Sequence, residues 1–412
     1  TITNFRSIRL NVDPYLMFYD KNKNRHMLKT RYYLVTTGNL TSVYASSKAE
    51  MFYGDYQFQK KGETSNLTAG ITSSINRIVS PVFQDHLSSN LAFYGQYEKK
   101  WNKFDLTAGL RFEYFKQDTL DYDSRFFLSD SFSIPFYPII RTGVHYELTK
   151  STHLRASIGQ GIRFPSVAER FVATSVGGVI IFPNPEVKPE IGWAGELGIK
   201  QVFRIGDWKG SLDLAGFVNQ YSNMMEFTFG KFAENQADPN NPNSSLNFFG
   251  LGFKSVNVGK TQISGLELSI AGEGNLTNKL TVNLLAGYTY MNSISLEPNK
   301  VYEILDEPMY LNGEYIDSLT YANSSSDPSI LKYRYTHIAK TDIEITYQKT
   351  SVGWSFRYND FMRNIDNVFT QEIIGGDEGL IPGINKAREK YKNGDFILDA
   401  RIGHQFTNVI KF

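Results

Sequence analysis

Side chains able to do chemistry are few in this sequence, and they are not arranged to do it together. The 412 residues contain no cysteine, which removes thiol nucleophiles, disulfide frameworks, Cys-ligated zinc and iron–sulfur clusters. The six histidines are His26, His86, His145, His153, His337 and His404, and no two are spaced as metal ligands on one helical face. No G-x-S-x-G nucleophile elbow occurs, and Gly177-Gly178 lacks the surrounding glycines of a phosphate cradle. Asp105, Glu113, Asp342 and Glu344, with Arg111 and Arg357, recur singly on the wet side of alternating segments, where they read as polar lining rather than acid–base machinery. The expectation is a protein without catalytic residues, bound metal or cofactor, and not an enzyme.

Composition narrows the partners. Lys and Arg number 43 against 42 Asp and Glu, a balance that does not provide the basic face of a nucleic-acid binder. The longest apolar run is short, as in Val179-Ile180-Ile181-Phe182, far from the roughly 20 residues of a spanning helix. The first residues, Thr1-Ile2-Thr3-Asn4-Phe5-Arg6, show neither an initiator Met nor a signal sequence and read as the start of a mature or truncated product.

What must position any site is a set of long strands. Apolar residues recur with period 2 over most of the chain. From Phe104 to Tyr114, Phe, Leu, Ala, Leu, Phe and Tyr alternate with Asp, Thr, Gly, Arg and Glu, one greasy side and one wet side. The same alternation runs through Leu91–Tyr97, Leu280–Tyr290, Ile343–Tyr347, Val352–Tyr358 and Phe396–Ile402. Soluble strands average five or six residues; these extend over roughly 12 to 20, enough to cross a bilayer at a tilt.

Connections alternate in length. Short ones fall near 21–24, 60–62, 99–102, 149–151, 206–208, 275–278 and 349–351, and long ones near 75–86, 118–135, 163–189, 230–252, 293–332 and 365–394. Of the 14 prolines, all but Pro14 and Pro138 lie in the long stretches, outside any ladder. Short turns at one end and long loops at the other is the asymmetry of an outer-membrane barrel, with the short end periplasmic and Trp101 and Trp208 as candidates for its aromatic girdle. Reading Phe253 to Glu273 as one strand keeps the 293–332 loop on the long-loop side and gives about 15 strands, the first and the last running the same way. Single-chain bacterial barrels have even strand counts, so part of the barrel is expected to be absent.

Three segments carry a family resemblance. Gly159-Gln160-Gly161-Ile162-Arg163-Phe164-Pro165-Ser166-Val167-Ala168-Glu169 resembles the "G-x-G-F-R-A-P-S-x-x-E" box of TonB-dependent outer-membrane receptors. Asn184-Pro185-Glu186-Val187-Lys188-Pro189-Glu190, followed by Glu196-Leu197-Gly198-Ile199-Lys200, is similar to their "N-P-x-L-K-P-E…E-x-G-x-K" box. Asn257-Val258-Gly259-Lys260 with Ser264-Gly265-Leu266-Glu267 resembles an "N-x-G-K…G-x-E" strand of the family. Their order matches, and the resemblance covers most of the chain.

The resemblance implies an all-β fold, a transmembrane antiparallel barrel of 22 strands filled by an N-terminal plug. Residues 1–412 would then be about strands 6 to 20, with the plug, which engages the TonB complex, and both barrel ends outside the chain. Gly161, Arg163, Pro165, Glu169, Asn184, Pro185, Pro189, Glu190, Gly265 and Glu267 read as fold-shaping residues at loop bases and wall. Ligand contact is expected where the long loops converge, from aromatic and basic groups suited to an anionic, partly aromatic chelate: Tyr122, Arg125, Arg163, Phe164, Arg170, Tyr221, Met224, Tyr310 and Tyr315. The implied activity is energy-driven import of a scarce, large solute across the outer membrane of a Gram-negative bacterium, an iron–siderophore before cobalamin, oligosaccharide or peptide. Residues 166–183 contain no His, where haem receptors of the family tend to carry one. A surface lipoprotein is a conceivable further partner beside the bilayer, TonB and the small-molecule ligand. The rival readings are a passive porin and an adhesin or assembly platform.

Overall fold

The computed structural model describes residues 5–39, 42–118, 131–176, 179–232, 250–311, 313–371 and 380–406. The alternating segments form a wall. Numbered along the chain, its first strands are β1 (Phe5–Val12), β2 (Tyr15–Tyr19), β3 (Arg25–Asn39), β4 (Ser42–Lys61), β5 (Ser65–Ser80), β6 (Gln84–Trp101), β7 (Phe104–Asp118), β8 (Ser131–Thr149) and β9 (Thr152–Arg163). It continues through β12 (Glu190–Ile205), β13 (Trp208–Ser222), β16 (Thr261–Thr277), β17 (Leu280–Ser295), β20 (His337–Tyr347), β21 (Thr350–Asn359) and β22 (Asp395–His404). Each pairs antiparallel with the next in that order, except that β1 and β2 both pair with β3.

Those two are one strand interrupted at Asp13-Pro14: Val12 sits opposite Tyr32 and Tyr15 opposite Lys29 on the same partner. Proline has no N–H to give the ladder. The 16-stranded sheet therefore has 15 positions, as the alternation predicts. Among the described residues β1/β2 and β22 do not pair with each other, so the sheet keeps two edges.

Register decides which face is which. Leu197, Gly216, Leu266 and Tyr290 are aligned across β12, β13, β16 and β17, and Leu197 is 70% and Leu266 53% exposed. On the other face Arg155 donates to Glu196 (2.6 Å) and Asp213 (2.7 Å), and Arg401 to Asp342 (2.8 Å) and Glu344 (3.1 Å). Exposed pairs of this kind are worth up to about 1 kcal/mol each. They keep the inner face wet; they do not hold the wall together. The apolar face, exposed in a single chain, suits acyl chains.

Seven connections at one end are tight, at 20–24, 62–64, 102–103, 150–151, 206–207, 278–279 and 348–349. In the first, the Asp20 carboxylate accepts from the Asn22 and Asn24 amides at 2.8 and 2.9 Å, an Asx turn. Trp101 stands 51% exposed at this end. Trp208 does not: it lies flat, 7% exposed, over Gly272, where a Cβ would come within 2.0 Å of the ring, and its indole N–H donates to the Val282 carbonyl at 2.9 Å.

At the other end the expected loops are largely folded. The 75–86 connection shrinks to a turn at 81–83, because Ser80 and Gln84 still pair. Helix α1 (Val167–Phe171) follows β9. Strands β10 (Thr174–Val176), β11 (Val179–Phe182), β14 (Met225–Lys231) and β15 (Leu251–Asn257) form a four-stranded sheet, and β18 (Val301–Leu311) pairs with β19 (Glu314–Thr320). Short helices α2 (Tyr321–Ser324), α3 (Asn367–Thr370) and α4 (Ile384–Lys390) complete this cap. The expected single strand Phe253–Glu273 is thus two: β15 belongs to the cap and β16 to the wall, and Gly259 turns the chain between them at φ +99°, a conformation open to glycine. The ordinary hydrophobic core lies in the cap, where Phe229, Leu251, Leu305, Met309, Leu319 and Val368 pack together.

Leu197→Arg places a charge at mid-strand on the outward face and is expected to cost about 2–4 kcal/mol of stability in a bilayer. Thr107→Arg on the inward face is expected to cost under about 1 kcal/mol. Urea unfolding of the intact receptor in lipid vesicles compares the two.

Candidate functional site

The first two boxes build the joint between wall and cap. Arg163 ends β9, and its guanidinium donates to Glu190 at the start of β12 (2.5 Å) and to Glu169 in α1 (2.7 Å). Glu169 in turn accepts from the Ser166 amide at 2.8 Å while Ser166 Oγ accepts from the Glu169 amide at 3.2 Å. This reciprocal capping box starts α1 directly after the buried Pro165. The other Glu190 oxygen accepts from the Met225 amide at 2.6 Å, so one carboxylate ties β9 to β12 and β14.

Arg170 points the opposite way and is 1% exposed. It donates to Gln117 Oε1 at 2.7 Å and to the Pro185 carbonyl at 3.0 Å. Phe171 stacks on His86 at 3.6 Å, and Phe164 on Phe115 at 4.3 Å. Asn184 donates to the Ser255 carbonyl at 2.8 Å, and Asn257 brackets Lys188 through both backbone groups at 2.8 and 2.9 Å. Prolines 185 and 189 flank these contacts. Gly265 has no room for a side chain, since a Cβ would meet the Tyr290 carbonyl oxygen at 2.0 Å; Glu267 is exposed on the inward face opposite Ala215.

Beneath this joint the inner wall opens into a hollow of about 760 Å³. Its floor is bare backbone at Gly159, Gly161 and Gly192, and a Cβ at Gly161 would meet nothing within 4 Å. Around it stand Arg141, Arg163, Glu190, Tyr221, Met224, Met225, Ile263 and Arg334. The volume is that of a small-molecule site.

Behind the hollow, inside the cap, is a buried charge cluster. Lys332, 1% exposed, donates to Asp366 at 2.8 Å, lies 3.6 Å from Glu226, and sits over the Tyr321 ring at 5.5 Å. The Tyr333 hydroxyl donates to the second Asp366 oxygen at 2.6 Å. Burial opposes the Lys332 charge, yet Asp366, Tyr302 and Glu226 outweigh it and raise the ammonium above its ordinary range. Burial pushes the Glu226 carboxyl up, against the pull of Lys332 and Arg334. Three separate loop segments meet at this one ammonium.

The expected ligand residues therefore divide. Arg163, Tyr221 and Met224 come together at the hollow, although Arg163 is engaged by two carboxylates and Met224 is 6% exposed, its sulfur accepting from Thr261 Oγ1 at 3.1 Å. Phe164 and Arg170 are packed into the joint. Tyr310 and Tyr315 are paired on the β18–β19 hairpin, their rings 5.4 Å apart, with Tyr315 79% exposed. Tyr122 and Arg125 lie outside the described residues. Arg141, Met225 and Arg334 join the site without having been among the expected ligand residues. Alternation does put Arg141 on the wet face with His145, but its neighbour Gly159 belongs to another strand, and Arg334 sits in a long connection with no periodicity.

A wide antiparallel wall, greasy outside and charged inside, with tight turns at one end and a folded cap over an inner hollow at the other, defines a transmembrane β-barrel of the ligand-receiving kind. The family model described as "TonB dependent receptor-like, beta-barrel" matches residues 3–411, and the chain belongs to that family, whose members are transporters of the Gram-negative outer membrane and not enzymes. Its fold is similar to that of the copper transporter OprC (TM-score 0.64, 14% identity, 98% of this chain and 58% of that one). It is also similar to the FrpB iron transporter from Neisseria meningitidis (0.60, 13%, 98% and 58%) and to the siderophore receptor PirA from Acinetobacter baumannii (0.57, 13%, 98% and 57%). The chain thus spans less than two thirds of the length of these solved chains. No curated protein sequence matches it.

Lys332→Met leaves two buried carboxylates without their cation and is expected to cost about 3–5 kcal/mol, read as rapid proteolysis within 321–371 while the wall stays folded. Glu226 gives a pH signature. Its raised value means that the folded cap binds a proton more tightly than the unfolded one. Stability is thus fully present below the ordinary carboxyl range and falls as pH rises through the folded value. Glu226→Gln is expected to flatten that fall when protease resistance is followed from pH 4 to 9.

Proposed function

We propose that this chain is the larger part of the barrel of an outer-membrane importer, about strands 6 to 20 of a 22-stranded wall whose remaining strands and plug lie elsewhere in the protein. The tight turns face the periplasm and the cap faces the outside. A scarce, large solute is captured beneath the cap, and energy delivered through the TonB complex to the plug opens its way through the lumen. Energy is needed because the affinity that collects a dilute nutrient also opposes its release. The observation that carries this reading is the hollow of about 760 Å³ on the inner wall, directly under the joint built by the family boxes.

The cargo we favour is an iron chelate of the siderophore type. Its support is that the structural neighbours include an iron transporter and a siderophore receptor; a copper transporter among them keeps other metals within the class. The tall cap, with Tyr315 and Ile304 standing out from the β18–β19 hairpin at 79% and 75% exposure, also offers a surface for an outer protein partner such as a surface lipoprotein.

Deleting the gene is expected to abolish uptake of radiolabelled iron chelate by iron-starved cells, and a protonophore is expected to stop uptake in the wild type within minutes. Uptake that survives the protonophore but not the deletion identifies a passive porin. Uptake of every chelate unchanged by the deletion rejects import and leaves an adhesive or assembly role.

A further inference from the structure

We propose that the hollow reads negative charge, with Arg141 and Arg334 as the specificity-determining residues for a cargo that presents carboxylate or other anionic oxygens. This rests on the importer reading above and narrows its substrate class.

The argument is one of unmatched charge. Three guanidinium groups line the hollow. That of Arg163 is answered by Glu169 and Glu190, and the second Glu190 oxygen is taken by the Met225 amide. Glu190 therefore has nothing left for the other two. Arg141 reaches only the Gln160 carbonyl and Arg334 only the Tyr333 carbonyl, each at a long 3.4 Å. Among the described residues neither has a carboxylate at ion-pairing distance. Glu226, which feels the field of Arg334, is sealed in the cap core.

Shape agrees with charge. A Cβ at Gly159 would meet Arg141 Cγ at 3.1 Å, so the glycine is what lets the arginine stem lie against the wall. Gly161 leaves the floor beside it open. Met224, Met225 and Ile263 supply an apolar side, which excludes water and strengthens a charge-assisted contact. A guanidinium fork matches two oxygens of a carboxylate or of a chelate's oxygen shell. A neutral chelate of the same size would leave both arginines desolvated and unpaired, a cost that selects against it.

The test uses the full-length receptor in outer-membrane vesicles and equilibrium binding of radiolabelled iron(III) citrate and an iron(III) tris-catecholate, both anionic, against a neutral iron(III) trihydroxamate. The wild type is expected to retain an anionic chelate and reject the neutral one. Arg141→Gln and Arg334→Gln are each expected to weaken anionic binding about tenfold or more, and the double variant to weaken it further. Arg141→Lys, which keeps the charge and loses the fork, is expected to recover only part. The proposal is overturned by preference for the neutral chelate, by failure of the wild type to retain either anion, or by variants that bind as the wild type does. If in the last case the variants also lose protease resistance, the arginines hold a carboxylate from another segment of the receptor. These outcomes are separate from the importer reading, which falls only if gene deletion leaves uptake intact.

Discussion

In a bilayer every backbone N–H and C=O must find its partner within the protein, and the unbroken antiparallel ladder is how this chain meets that demand. Once the ladder is set, the strand's period of 2 sends alternate side chains to lipid and to the lumen. Leu197 and Leu266 face out while Arg155, Glu196 and Asp213 join hands inside. A one-residue slip would exchange the two faces across a whole strand. Register, more than any side-chain contact, carries the architecture, and the inner ion pairs serve it by keeping the bore wet.

The cap obeys a different solvent. Outside the membrane, loops longer than a turn have to bury apolar surface or stay open, and here they bury it, around Phe229, Leu251, Leu319 and Val368. Joining this water-style core to the membrane-style wall is the work of the boxes. Arg163, Glu169 and Glu190 bind the last wall residues to α1 and β14, and Arg170 anchors α1 to the inner wall through Gln117. Lys332 then gathers Glu226 and Asp366 from distant loops. A buried cation with two carboxylates adds little net stability over apolar packing, but it fixes which loop lies against which.

The hollow is a by-product of the same joint. Glycines at 159, 161 and 192 leave the wall thin where α1 and β14 lean inward, and the acids of the boxes are spent on Arg163. Two guanidiniums are left facing the space. A site that keeps its cations unpaired until a ligand arrives pays for it in desolvation, and gains discrimination between cargoes of different charge.

Sequence by itself determined the wall. Alternation over more than ten residues has one physical solution in lipid, and the strand count, the tight-turn end and the family boxes all follow from patterns that are local in the chain. Two local readings failed for local reasons as well: Gly259 breaks an apparently continuous strand, and Ser80 pairs with Gln84 through what looks like a loop. Only tertiary structure decided the site. The neighbours Arg141–Gly159 lie on adjacent strands, Arg334 comes from a connection without periodicity, and the meeting of Lys332 with Glu226 and Asp366 spans segments far apart in the chain. Such contacts depend on register and on how loops fold over a rim, and a one-dimensional pattern records neither.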